Sequence, residues 1–262
     1  MMWIGRMQDG EGRSTKTEAA YRLLRRDILT TRLEPGAALK LGALREAYSV
    51  GWTPLREALS RLEAEKLVTT VNNRGFAVAP VSRDELEDLK RARLVVELPL
   101  FLESIENGDA AWEERVVTAH YRLSRCKTAV EDSSDAAVDE WDEKHTAFHA
   151  ALLGAARSNW LLRFQNTISD QLRRHHRYLG LAPTVKAAAG HASGHEKALE
   201  ALREAMGIEH HTLLMEAALD RDLERARALM IEHIGYTLHV YLHSEAPHAP
   251  TPARTRRSTA RV

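Results

Sequence analysis

Residues 53–80 read TPLREALSRLEAEKLVTTVNNRGFAVAP, and two periodicities meet inside this stretch. Leu55, Ala58, Leu59 and Leu62 recur at i, i+3, i+4 and i+7, which is one face of a helix. Arg56, Glu57, Ser60 and Arg61 fall on the other side. Thr53 suits an N-cap, with Pro54 at the first helical position where its missing N–H costs nothing. The spacing therefore predicts a helix over 54–66. After it, Leu67–Val71 and Phe76–Pro80 are short β-like runs around Asn72-Asn73-Arg74-Gly75, a hairpin turn with glycine where positive φ is required.

Upstream, Thr15 or Thr17 can cap a helix whose apolar positions are Ala20, Leu23, Leu24 and Ile28, ending before the Pro35-Gly36 turn. A second helix is expected over 41–47, followed by the break Ser49-Val50-Gly51. Three short helices and a hairpin, in that order, make a winged helix-turn-helix, whose third helix enters the DNA major groove. A helix N-terminus offers free N–H groups to a phosphate, and an arginine beside it reaches phosphate or guanine edges. Arg56 in the first turn and Arg74 at the wing tip are best placed for this. The expected DNA-facing set is Arg45, Trp52, Thr53, Arg56, Arg74 and Gly75; solvated surface arginines are the alternative.

The whole chain fits this reading. At 262 residues, two unequal domains are the natural expectation. Residues 1–80 carry 13 Lys/Arg against 9 Asp/Glu, or +4; residues 81–244 carry 20 against 27, or −7; residues 245–262 carry 4 against 1, or +3. A basic head on an acidic body suits a polyanion-binding domain joined to one that avoids polyanions. No apolar run reaches membrane-spanning or signal-peptide length, and the lone Cys126 excludes an internal disulfide. A cytoplasmic protein is expected. Four parts follow: a disordered start over 1–13, the winged domain over 14–81, an all-helical domain over 82–244, and a disordered basic tail over 245–262.

From Ser82 onward every segment reads helical. Ser82 and Glu85 form a capping box, and Gly108 closes the helix that they open. Further helices are expected near 111–131, 136–155, 158–180, 195–220 and 222–243, with a loop over 181–194. The fold class is thus mostly α, a winged helix-turn-helix plus a helical bundle, and bundles build ligand sites between facing helices.

The thirteen histidines locate that site. On helix 136–155 the apolar stripe is Trp141, His145, Phe148, His149 and Leu152, so two imidazoles at i, i+4 occupy core positions. His211 shares a face with Leu214, Met215 and Ala218, and His233 lies with Leu229, Met230 and Tyr236. Imidazoles in the buried stripes of three helices are costly unless something satisfies them, and a divalent metal, zinc or nickel, would satisfy all four. His210, about 100° round the helix from His211, is expected at the surface. His175, His176, His239, His243 and His248 sit in polar company and attract no role.

Several spaced blocks, Leu33-Glu34-Pro35-Gly36, Thr53–Leu59, Arg61-Leu62-Glu63 and Arg74–Val78, closely resemble the DNA-binding domain of the GntR family. That family has Ser-Arg before Thr-Pro where this chain has Gly51-Trp52. Phe148-His149-Ala150-Ala151-Leu152, Glu209-His210-His211, Asp222 and His233 are similar to the FCD effector domain of the same regulators. The resemblance implies a metal held by His149, His211 and His233, with His145 standing where an acidic ligand is usual. It also implies a small organic acid as effector, favouring dicarboxylates, with Arg93 as a carboxylate clamp; a salt bridge to Glu97 is the other reading of Arg93. A homodimeric repressor that binds palindromic operator DNA is then expected. The rivals are a metal-responsive regulator without organic effector and a metal-dependent hydrolase. The hydrolase lacks a His-Glu-x-x-His general base and leaves the winged domain without purpose.

Overall fold

The structure, a computed structural model, describes residues 16–71, 75–182 and 196–243. It divides into two compact units between Pro80 and Val81.

In the first unit α1 (Lys16–Leu29), α2 (Leu41–Ala47) and α3 (Trp52–Ala64) enclose a small core. Ala20, Leu24 and Ile28 of α1 meet Leu55, Leu59 and Leu62 of α3, all fully buried. Burying each such leucine or isoleucine contributes about 1.5–3 kcal/mol, so this stripe anchors α3 while its other face stays in water. Three antiparallel strands follow the order β1-β3-β2: β1 (Ala38–Leu39), β2 (Val68–Val71) and β3 (Gly75–Val78). Val68 pairs with Val78 and Ala38 with Ala77. β1 escapes sequence reading because two residues carry no period. Gly75 has φ +88°, the left-handed conformation that the hairpin reading assigned to it.

Two details correct the expected caps. The helix α3 starts at Trp52, with Gly51 as N-cap and no side-chain cap, so Pro54 is its third residue. The first i to i−4 bond is made by Leu55 N–H to Gly51 O at 3.1 Å, so Pro54 still needs no N–H. Thr17 lies inside α1 and donates from Oγ1 to Glu57 at 2.8 Å, tying α1 to α3 instead of capping. Thr15 lies outside the described residues.

The second unit has only helices as its secondary-structure elements among the described residues. It comprises α4 (Arg83–Asn107), α5 (Ala110–Ser124), α6 (Asp135–Leu152), α7 (Asn159–His175), a π-helical turn (His176–Leu181), α8 (Glu196–Met206), α9 (Ile208–Leu219) and α10 (Leu223–His243). Ser82 accepts from Glu85 N–H, as the capping-box spacing requires. α5 stops seven residues short of the expected 131. Just beyond it Glu131 accepts from both Thr128 N–H (2.7 Å) and Thr128 Oγ1 (3.0 Å), a local turn that competes with the helix. The expected helix over 195–220 is two helices, broken at Gly207, whose φ −63° and ψ 150° are extended. Asp222 accepts from Arg225 N–H at the start of α10, so this acidic position is a cap.

Arg221 joins three of these elements. It sits at φ +57° just past α9, and its guanidinium donates to Ile105 O and Gly108 O at the end of α4 and to Glu113 of α5. It also lies 4.9 Å above the Trp112 ring. Removing the guanidinium strands helix-end carbonyls, so we expect Arg221→Ala to cost about 1–3 kcal/mol in urea unfolding. Arg221→Gly should be less damaging by about 1 kcal/mol, because glycine relieves the left-handed backbone. Equal losses would show that the backbone is not strained there.

Candidate functional site

Two sets of residues carry chemistry, one in each unit. In the first, Trp52 and Thr53 are exposed on the first turn of α3 and Arg56 is exposed at the start of the next, one turn later than the sequence reading places it. Among the described residues Arg56 makes no hydrogen bond or ion pair. Arg45, from α2, places its guanidinium 4.8 Å above the Trp52 ring, which joins the two helices at the surface through a cation–π contact. With no side-chain cap on α3, its first N–H groups face solvent with the positive end of the helix dipole. Gly75 is exposed at the start of β3, and Arg74 lies outside the described residues.

In the second unit His145 and His149 of α6, His211 of α9 and His233 of α10 converge. One nitrogen from each lies within 4.8 Å of the other three. His149, His211 and His233 are buried and His145 partly so. His145 stacks on Trp141, ring centroids 4.4 Å apart and 15° from parallel, which fixes its plane. His211 Nδ1–H donates to Gly207 O at 2.7 Å, so its Nε2 carries the lone pair and faces the cluster. The break at Gly207 thus supplies the carbonyl that sets this tautomer. Behind His149, Glu97 Oε1 lies 3.4 Å from Nδ1, out of line for a hydrogen bond as it stands.

Burial, reinforced by the neighbouring imidazoles, holds His145 and His233 well below their usual pKa and His211 down at about 3. The neutral imidazoles of His145, His211 and His233 suit metal ligation, which needs the lone pair. Both nitrogens of His149, Nε2 of His211 and Nδ1 of His233 are buried without hydrogen-bond partners, a costly state that coordination relieves. A tetrahedral divalent ion about 2.1 Å from each nitrogen sets its donors ~3.4 Å apart, so side chains separated by up to 4.8 Å would have to close around it by up to about an ångström.

The same depressed pKa values set a pH dependence. The unfolded chain binds protons on these histidines below about pH 6.5 while the folded chain does not, so stability is lost as pH falls from there toward 3. Each such histidine costs roughly 1 kcal/mol by pH 5.5. We expect the metal-free protein to melt several degrees lower at pH 5.5 than at 7.5; an unchanged melting temperature would contradict neutral buried imidazoles.

Arg93 is buried and committed to Glu97 through Nε (2.6 Å) and Nη2 (2.9 Å), and Gln165 adds a bond to Glu97 at 3.1 Å. Burial pushes the Glu97 carboxyl up, but Arg93 and His149 beside it together more than offset this and hold it below the usual carboxylate range. The salt-bridge reading of Arg93 is therefore realised, and its guanidinium also lines the cavity beside the cluster.

Three histidines depart from expectation. His210 is buried, stacked 5.4 Å from His233, with Nε2 on Leu229 O at 3.1 Å. The reason is α10, which covers that side of α9. His175 is fully buried, and His176 is partly buried with Nε2 inside. Their arginine-rich neighbourhood hid them, and the π-helical turn, which a residue pattern does not announce, changes which positions face inward. His191, His195 and His248 lie outside the described residues, as do the side chains of His239 and His243.

Comparison with known proteins assigns both units. The family description "Bacterial regulatory proteins, gntR family" matches residues 16–78 and "FCD domain" matches residues 88–236. The chain is 35% identical to the HTH-type transcriptional repressor GlaR of Escherichia coli (strain K12) over 82% of its length and 90% of that protein. It is 33% identical to the HTH-type transcriptional regulator BphR of Paraburkholderia xenovorans (strain LB400), over 85% of its length and 84% of that protein. The solved structure of McbR/YncC from E. coli shares the fold, with TM-score 0.66 and 20% identity over 88% of this chain and 98% of that one.

Proposed function

The chain belongs to the GntR family of bacterial regulatory proteins, a DNA-binding transcriptional regulator with an FCD domain and not an enzyme, and we propose that it is a dimeric repressor that senses a small carboxylate through a divalent metal. One observation carries the sensing half: four imidazole nitrogens from three helices lie within 4.8 Å of one another. His145, His149, His211 and His233 would hold zinc or nickel, which suit nitrogen donors. When bound, such an ion offers a Lewis-acidic face to a carboxylate oxygen.

The protein's own residues do the rest. Trp141 and Gly207 orient His145 and His211. Arg93, Glu97 and Gln165 form a rigid polar wall between α4, α6 and α7. On the DNA side Thr53 and Arg56 sit near the open end of α3, suited to a phosphate and a base edge in the major groove, with Trp52 and Arg45 beside them and Gly75 on the wing; Arg74 is assigned to DNA on its sequence position alone. Dimerisation suits that mode, since two recognition helices one helical turn apart read a palindrome. Large apolar side chains exposed on the adjacent helices α4 and α7, Val95 at 72%, Trp160 at 68% and Phe164 at 52%, support a protein-covered face. Repression is favoured because the relative GlaR is named a repressor.

A gel-shift titration of the metal-loaded protein on operator DNA at fixed salt tests this reading. Short dicarboxylates should weaken operator binding by about 5–150-fold, the range of ordinary allosteric coupling. Indifference to every small acid, with metal present, would end the carboxylate reading. A response to metal alone would leave a metal-responsive regulator.

A further inference from the structure

The cavity beside the histidine cluster has a volume of about 80 Å3. A single water needs about 10–15 Å3 on this scale, so the space takes a molecule of several heavy atoms. His145 and His233 of the cluster line it together with Arg93, His176 and Arg177, and Leu181, Leu202 and Met206 give it an apolar wall. A second cavity of about 60 Å3 shares Arg93, Trp141, Asp142, His145 and His176 with the first. His176 therefore faces both.

The polar groups of this wall differ in what they have left to offer. Arg93 is committed to Glu97. Arg177 is committed to Asp139 at 2.7 Å and Asp142 at 2.6 Å. His175 uses Nδ1 on Gln171 O (2.7 Å) and Nε2 on Glu85 (3.2 Å). His176 Nε2, by contrast, is buried with no partner. It is carried by a π-helical turn, a distortion that recurs at functional sites.

Charge adds a second constraint. Arg93 is balanced by Glu97, and Arg173 and Arg177 by Asp139 and Asp142. Four neutral imidazoles holding a divalent ion then leave a local charge of about +2, which a dianion neutralises and a monoanion does not. A neutral imidazole can present one N–H to a carboxylate oxygen. Building on the carboxylate reading above, we infer that His176 donates a hydrogen bond to the far carboxylate of a dicarboxylate whose near carboxylate faces the four-histidine cluster. His176 thereby sets the preference for two carboxylates over one, because a monocarboxylate leaves this buried group without a partner.

Titration calorimetry on the metal-loaded full chain tests this, with succinate, glutarate and adipate set against butyrate, valerate and hexanoate. The wild type should prefer the best dicarboxylate over its matched monocarboxylate by tenfold or more. H176F should lose that preference while metal content and the melting curve stay at wild-type values, and H176N, which keeps an N–H donor, should retain part of it. An H176F protein with an unchanged preference, or an H176N protein no better than H176F, overturns the role of His176 alone. If H176F melts early, H176N against H176A makes the same comparison. A wild type that binds neither class of acid overturns the carboxylate reading, and this assignment with it.

Discussion

His211→Ala and His233→Ala should each lower metal affinity by about two orders of magnitude. Structural zinc sites gain about 10–16 kcal/mol, so each of four ligands accounts for about 3 kcal/mol, or a hundredfold or more. Both residues meet the cluster with a buried, otherwise unpartnered nitrogen, so neither loss is made good by solvent. Native mass spectrometry should find about one metal per wild-type chain and little in either variant. Operator binding without effector should persist, because the winged domain keeps its own core, while release by organic acids disappears. His145→Asp should behave differently and keep its metal, since a carboxylate oxygen can replace an imidazole nitrogen at a divalent site. A His211→Ala protein that still carries equimolar metal would mean that the ion is held elsewhere.

The second large effect is on DNA. Arg56→Glu should weaken operator binding by about 10²–10⁴-fold. A base or phosphate contact by arginine is worth about 1–3 kcal/mol, and a dimer loses it twice. The new carboxylate also sits at the open N-terminus of α3, where a phosphate would otherwise be favoured. Fluorescence anisotropy at constant salt measures this, and the slope of log affinity against log salt should become shallower. Arg56 is exposed and has no partner among the described residues, so folding should be untouched and the melting curve should match wild type. A variant with wild-type affinity would move the DNA contact off Arg56 and the start of α3.

Part of this architecture is legible in the residues themselves. The i, i+3, i+4, i+7 stripe of Leu55, Ala58, Leu59 and Leu62 survives intact as the buried face of α3, because a stripe that regular has only one way to leave water. The cluster is legible for the same reason. His145 and His149 sit on a stripe with Trp141 and Phe148, and His211 and His233 lie on stripes of their own, so burying those faces brings the imidazoles together. What periodicity misses is whatever depends on a neighbour. The side of α9 holding His210 looks like surface until α10 packs over it. The break at Gly207 leaves only a weak mark, a single glycine, yet it supplies the carbonyl on His211.

By itself, then, the chain determined two cores, the order of their elements and the four imidazoles that share one interior. Those properties follow from which faces must avoid water, and a one-dimensional pattern records that. Tertiary structure decided the burial of the Arg93–Glu97 pair, which i, i+4 spacing offers only as one of two readings, the inward side of His210, and the inward turn of His175 and His176. Each depends on what packs against a helix or on a π-helical turn, and no spacing along the chain encodes those.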